Sequence, residues 1–175
     1  MEHYLQTPIT AEQISPLEAG DYVHISGTIY SARDAAHARM TESEELPFAI
    51  ENQVIYYMGP SPTRPGHVIG AAGPTTATRM DRYTPHLLDC GLKVMIGKGK
   101  RSPEVIEAIR RNGAVYLAAI GGAGALLSRC ITSTTVIAYD DLGTEAVRKL
   151  EVHNFPAIVV IDQYGGNIYA QTCVM

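Results

Sequence analysis

Two short apolar runs, separated by one segment with clear helix ends, do most to limit what this chain can fold into. Ser102-Pro103 is a conventional helix opening, with a hydroxyl at the cap and proline at the first helical position, where a missing N–H costs nothing. Residues 104–112 then place Val105, Ile106 and Ile109 on one face, and Gly113 supplies the stop. Before this segment lies a short strand-like run, residues 93–97, and after it residues 114–120. The second run is continuously apolar and bounded by glycine, which fits a strand buried on both faces. Strands that alternate with helices in this way belong to an α/β architecture.

The rest of the chain extends that alternation. Residues 1–18 read as an N-terminal arm or edge strand leading to the turn Glu18-Ala19-Gly20-Asp21. Residues 22–30 are rich in β-branched and aromatic side chains and read as a strand, with Gly27 at a bulge or a close approach. A helix follows through Glu45, with Arg33 at the junction, Asp34 in its first turn and His37 as a surface or partly packed histidine. Residues 52–60 are a second strand, and a loop dense in proline leads on to residues 73–81. Residues 77–90 read as helical with an interruption near Pro85, and residues 123–131 as helical. Residues 134–139 and 156–161 read as strands, residues 144–150 as helical, and residues 163–167 as a hairpin turn into Ile168-Tyr169-Ala170. The expectation is one α/β domain over residues 1–175, with mixed sheets and flanking helices and no internal boundary.

Composition removes several function classes. The 14 Lys+Arg against 18 Asp+Glu give a net charge of -4, so there is no electrostatic footprint for nucleic acid or an anionic membrane. No charged-then-apolar leader opens the chain, and no apolar run approaches the roughly 20 residues that span a bilayer, so a cytoplasmic location is expected. Cys90, Cys130 and Cys173 are odd in number and far apart, without a Cys-x-x-Cys pair or histidines at zinc spacing. Three cysteines could in principle hold an iron–sulfur cluster, but buried or incidental thiols are the better reading.

Two glycine-bearing turns carry the chemistry. Gly73-Pro74-Thr75-Thr76-Ala77-Thr78-Arg79-Met80-Asp81 and Gly97-Lys98-Gly99-Lys100-Arg101-Ser102 each open a helix and bring hydroxyls or cations to backbone N–H groups that favour an anion. The plain alternative is that Thr75 or Thr76 caps a helix and the lysines are a solvated turn. With Arg33 added, the inventory suits a substrate with two carboxylates: arginine grips in a fork, lysine is a point charge, and a threonine hydroxyl donates, accepts or relays a proton. No Ser–His–Asp or Cys–His grouping and no carboxylate pair stands out. Gly121-Gly122-Ala123-Gly124 is similar to a dinucleotide turn, but Leu127 stands where a small residue is wanted, and close backbone packing is the better account. The second turn lacks the glycine spacing of a phosphate loop.

Taken together, Gly20-Asp21-x-Val23 with Ser26-Gly27-x-Ile29, Arg33-Asp34-x-Ala36-His37-x-Arg39, Gly73-Pro74-Thr75-Thr76 with Arg79-Met80-Asp81, Lys98-Gly99-x-Arg101-Ser102, and Phe155-Pro156 with Asp162-x-Tyr164-Gly165 resemble the β subunit, or C-terminal domain, of the class I iron–sulfur hydro-lyases. These are class I fumarate hydratase and L-tartrate dehydratase. The resemblance implies a swivelling β/β/α domain that closes over a [4Fe-4S] cluster. The cluster cysteines then lie in a partner α subunit and none is bound by this chain. Arg33, Arg79 and Lys98 would hold the carboxylates of a small dicarboxylate substrate. Thr75 would take the proton, and Asp34, His37, Thr76 and Asp81 would orient these groups. Fumarate is the first substrate and tartrate the second, and a homodimer of the isolated chain would be unsurprising. The alternative from another class is a dicarboxylate- or nucleotide-binding module with no catalysis, in which a nucleotide would use Gly121 to Gly124.

Overall fold

The computed structural model describes residues 1–119 and 124–171. In chain order these form β1 (Glu2–Gln6), α1 (Ala11–Ile14), β2 (Tyr22–Ser31), α2 (Asp34–Glu42), β3 (Val54–Tyr56), a 3₁₀ turn (Ala77–Met80), α3 (Thr84–Asp89), β4 (Val94–Gly97), α4 (Pro103–Asn112), β5 (Val115–Ala119), α5 (Gly124–Arg129), β6 (Ile131–Ala138), a kinked 3₁₀ segment (Asp140–Glu145), β7 (Val147–Ile161) and α6 (Ile168–Gln171). The α/β class with a mixed sheet and flanking helices is therefore what the structure has.

Strands β1 to β5 pair in sequence order and in parallel. The fifteen-residue β7 runs antiparallel to β5, β6 and β2. Its pairing with both β5 and β2 joins β2, β3, β4, β5 and β7 into a closed ring. Alternate residues of each strand go to opposite faces, and in the central strands β3, β4 and β5 both faces are largely buried. Val54, Tyr56, Val94, Ile96, Val115 and Leu117 point into one core with Val23, Ile25, Phe155 and Val159. Ile55, Tyr57, Met95 and Tyr116 pack in a second core with Met40, Leu87, Leu88, Val105 and Ile109 of the helices. The N-terminal segment contributes Leu5, Ile9, Ile14 and Leu17 to the first core.

Local signals hold at α4. Ser102 accepts a hydrogen bond from the Val105 N–H at 3.3 Å, Pro103 opens the helix, and Gly113 closes it in the left-handed conformation (φ 60°). Gly27 is both things expected of it. The β2–β7 register shifts between Ile25 and Gly27, and a Cβ on Gly27 (φ 111°) would collide with the Thr7 hydroxyl.

Other expectations are corrected. Residues 147–150 are not helical: the kinked 3₁₀ segment ends at Glu145 and residues 147–150 begin β7, where pairing with β2 on one side and β6 on the other satisfies the backbone and overrides helical composition. Pro85 does not interrupt a helix but starts α3, where its missing N–H is harmless, and the chain between Met80 and Thr84 is a turn. Helix α2 ends at Glu42, α5 at Arg129, and β6 begins at Ile131. The turn after Ile161 is real, with the Asp162 carboxylate accepting N–H bonds from Ala19, Tyr164 and Gly166 at 2.8–2.9 Å, but it leads into helical α6 instead of a strand.

Candidate functional site

The site candidates gather where the parallel strands end. Strand β2 runs out into Arg33, β3 into Tyr57 and β4 into Lys98, and the three ends are tied side by side: the Ala32 N–H donates to the Tyr56 carbonyl at 3.1 Å and the Tyr57 N–H to the Ile96 carbonyl at 2.8 Å. The carboxyl ends of parallel strands are where α/β folds, closed barrels as well as open sheets, leave room for a ligand.

The Gly73 turn lies across these ends. Its Thr75 N–H donates to the Tyr57 carbonyl at 2.8 Å, the Lys98 N–H donates to the Thr75 carbonyl at 3.2 Å, and the Ala77 N–H donates to the Lys98 carbonyl at 2.9 Å. Thr76 and Lys98 thus form a one-residue parallel bridge beyond the end of β4. The approach is possible because the last residue of β4 is glycine: a Cβ on Gly97 would sit 2.7 Å from the Tyr57 ring and 3.3 Å from the Ala77 methyl.

Neither threonine caps the turn that follows. Thr76 occupies the cap position without a side-chain bond, and the Thr75 hydroxyl donates back to the Tyr57 carbonyl at 3.1 Å. With its proton given to the main chain, the half-buried Thr75 oxygen keeps its lone pairs for another group. Thr76, Arg79 and Lys98 are exposed, and among the described residues neither Arg79 nor Lys98 is paired with a carboxylate. The structure therefore brings Thr75, Thr76 and Lys98 together through the backbone and hangs Arg79 on the 3₁₀ turn just beyond.

Arg33 lies at the end of the neighbouring strand β2 and is partly covered. Its side chain lies against Gly59, where a Cβ would meet the Arg33 Cδ at 2.8 Å, and its Nε is 3.7 Å from Glu145 Oε1. Asp34 neighbours the same glutamate, so a carboxylate pair exists that sequence spacing did not reveal. Burial pushes the Glu145 carboxyl up, and Asp34 adds to this against the pull of the Arg33 guanidinium.

His37 is a correction. It is fully buried, with Nδ1–H donating to the Arg33 carbonyl at 2.7 Å and its ring edge-on to Tyr57 at 5.4 Å, while Nε2 finds no partner among the described residues. Burial, opposed by the Arg33 bond and helped by the nearby Arg101 charge, lowers its pKa to about 4, so the ring is neutral near pH 7. Asp81 faces inward: its carboxylate accepts from Arg101 Nε at 2.7 Å and from the Ser102 N–H at 2.8 Å.

Arg101 stands in the second cationic turn and in the family motif, where the sequence assigns it no site role of its own, and the structure makes it the best-buried charge of the region, with no side-chain exposure. One local signal was available. A cation directly before a helix cap opposes the helix dipole, so it needs a specific anion to hold it there. Glu145 offered no such signal, because its segment reads as helical surface.

Of the glycine cluster 121–124, residues 121–123 lie outside the described residues. Gly124 serves close packing: a Cβ there would come within 3.0 Å of the Gly73 nitrogen, and the Ala72 N–H donates to the Gly124 carbonyl at 3.1 Å. A cavity of about 300 Å³ lies between the proline loop and α5, lined by Arg64, His67 and Arg129 and by none of the residues above.

The described residues do not fit an iron–sulfur cluster. Cys90 and Cys130 are free, Cys173 lies outside the described residues, and no group of three His, Cys, Asp or Glu side chains converges among those described. No described helix is long and apolar enough to cross a membrane.

Comparison with known proteins agrees with the motifs. The family described as Fumarase C-terminus matches residues 2–172. Fumarate hydratase 2 of Leishmania major is 40% identical over 176 residues, which cover 96% of this chain and 31% of that protein. The aerobic class I fumarate hydratase of Escherichia coli (strain K12) is 40% identical over 165 residues, covering 91% of this chain and 30% of that one. A chain of Methanocaldococcus jannaschii that bears the name L(+)-tartrate dehydratase subunit beta is 35% identical over 178 residues, covering 96% of this chain and 91% of that one. The chain thus spans about a third of the length of the two fumarate hydratases and nearly all of the tartrate dehydratase subunit. All three relatives carry the names of hydro-lyases, and with the match running over residues 2–172 the chain belongs to the Fumarase C-terminus family.

Proposed function

We propose that this chain is the β component of a two-part, [4Fe-4S]-dependent class I hydro-lyase that reversibly hydrates fumarate to malate. In this reading the cluster belongs to the partner α subunit. The observation that carries the reading is the group at the strand ends, where the Thr75 hydroxyl gives its proton to the Tyr57 carbonyl and the adjoining backbone carries Lys98 and Arg79, two exposed cations paired with no carboxylate among the described residues. A second reading, dehydration of tartrate to oxaloacetate, is favoured by the M. jannaschii relative, which this chain matches over 91% of its length.

In this reading Arg79 and Lys98, with Arg33 from the neighbouring strand end, hold the two carboxylates of the substrate. Charge that builds on one carboxylate as the adjacent C–H bond breaks is stabilised by the cations already placed there. Thr75 Oγ receives that proton. The resting bond to the Tyr57 carbonyl sets a condition, because a peptide carbonyl cannot take the threonine proton. The hydroxyl must turn away from Tyr57 and pass its own proton to a base as it accepts the new one. A carboxylate of the partner chain is that base, since an isolated threonine is too weak. The electron pair of the C–H bond becomes the new double bond, and the hydroxyl leaves from the next carbon on the partner's side.

The test is Thr75→Ala in the assembled enzyme. Removing a positioned proton-transfer group lowers kcat by about 10²–10⁴-fold, while KM, set by the cations, stays within a few-fold of wild type. An unchanged kcat removes Thr75 from the mechanism.

A further inference from the structure

We propose that Arg101 is a positioning residue that holds the Thr75, Arg79 and Lys98 segments in one arrangement by anchoring all three from beneath. The inference rests on the reading of those residues given above.

The guanidinium has an anchor on each segment. Its Nε donates to Asp81 Oδ1 at 2.7 Å, and Asp81 lies two residues after Arg79. Its Nη2 donates to the Tyr57 hydroxyl at 3.2 Å, and Tyr57 is the residue whose carbonyl takes both the N–H and the hydroxyl of Thr75. The same Nη2 donates to Thr84 Oγ1 at 2.8 Å at the start of α3. Arg101 itself follows Lys98 by three residues, and the second oxygen of Asp81 fixes the Ser102 N–H at 2.8 Å. The plane of the guanidinium is held by Tyr116 at 4.7 Å and Tyr57 at 5.2 Å.

A fold has little reason to bury this charge for stability alone. A buried ion pair is often no better than apolar residues of the same volume. What the guanidinium does that apolar residues cannot is reach several groups at fixed angles. Its planar fork bonds in three directions, whereas lysine would supply one point charge on a flexible stem. The groups it reaches lie on the stretch after β3, on Asp81 beyond the 3₁₀ turn and at the start of α3, so its bonds add to the backbone links that already join Tyr57, Thr75 and Lys98. Lys98 and Arg79 are exposed and have no carboxylate partner among the described residues, so their directions are set from the backbone that carries them.

The test uses the assembled enzyme and four variants: Arg101→Lys, Arg79→Ala, their combination, and Tyr57→Phe, which removes one anchor and keeps the ring. Circular dichroism and a melting curve establish that each is folded. Arg79→Ala is expected to raise KM by about tenfold or more, as loss of a charge-assisted carboxylate bond does. Arg101→Lys should raise KM by roughly tenfold with kcat also reduced, and Tyr57→Phe by a few-fold in the same direction. Because Arg101 acts through Arg79, the double variant should fall short of the product of the two single effects by at least about threefold.

If Arg101→Lys is folded but has wild-type KM and kcat, or if the double variant shows the full product, the positioning role is wrong while the carboxylate-binding reading stands. Should Arg101→Lys fail to fold, Tyr57→Phe decides: a folded variant with wild-type kinetics overturns the inference. If Arg79→Ala itself leaves KM unchanged, the reading of the site falls and the inference falls with it.

Discussion

Gly97→Ala sets two effects against each other. Alanine has fewer conformations to lose on folding, which favours the variant by about 0.4–1 kcal/mol wherever the backbone is compatible, and Gly97 sits in strand β4 without a positive φ. Against this, the new methyl would lie 2.7 Å from Tyr57 Cδ2 and 3.3 Å from the Ala77 Cβ, where ordinary carbon contacts are about 3.5–4.0 Å. Tyr57 cannot retreat cheaply. It is fully buried, its ring meets His37 edge-on at 5.4 Å, and Arg101 lies 5.2 Å from its centroid. Overpacking of this kind costs about 1–3 kcal/mol; against a fully buried tyrosine that cannot retreat the upper half of that range applies, about 2–3 kcal/mol, so sterics win by about 1–2 kcal/mol. For a chain of this size each kcal/mol moves Tm by about 2–4 °C, and the melting curve should shift down by roughly 2–8 °C. Thr75 and Lys98 are hung on the same contact, so the assembled enzyme should also lose turnover. A Tm equal to or above wild type would mean that the Tyr57 side of the strand is not the packed wall described above.

His37 gives a pH test. Its pKa falls from 6.5 when unfolded to about 4 in the fold, a difference worth about 3 kcal/mol. Between these values the unfolded chain binds a proton that the folded chain refuses, so this stability is full above pH 6.5 and is lost as pH falls toward 4. Urea denaturation of wild type and His37→Leu across that range should show the steeper loss in wild type, and parallel curves would contradict a buried neutral ring. Asp81→Asn leaves the Arg101 charge buried without its anion, which costs about 3–5 kcal/mol; an unchanged urea midpoint would refute the ion pair.

How much of this was legible depends on whether the deciding interaction is local. Helix α4 could be read because Ser102, Pro103 and Gly113 act within one turn of themselves, and Gly27 because a glycine inside a strand pattern has few reasons to be there. The Thr75 and Lys98 stretches could be picked out because glycine and hydroxyl chemistry sits in consecutive residues, but that the two meet in a backbone bridge could not be read from either alone. Residues 147–150 were misread because Val147, Arg148, Lys149 and Leu150 suit a helix when taken alone, and only β2 and β6, more than a hundred and about fifteen residues away in sequence, make them a strand. The same limit applies to the site. The Arg101–Asp81 pair spans twenty residues, and Arg33 meets Glu145 only because the kinked segment packs on α2. His37 was expected nearer the surface because nothing in residues 33–40 announces that Tyr57 and Tyr83 cover it.

The most direct test of the central claim is anaerobic capture from the source cells with this chain as bait, followed by assay of the eluate for fumarate hydration and tartrate dehydration, with iron and sulfide measured on the same material. The account predicts a brown partner with cysteine-bound iron and one of the two activities, abolished when Thr75→Ala is the bait. A chain that is active or ligand-loaded alone, with no iron-bearing partner, would contradict it and leave the binding-module reading in its place.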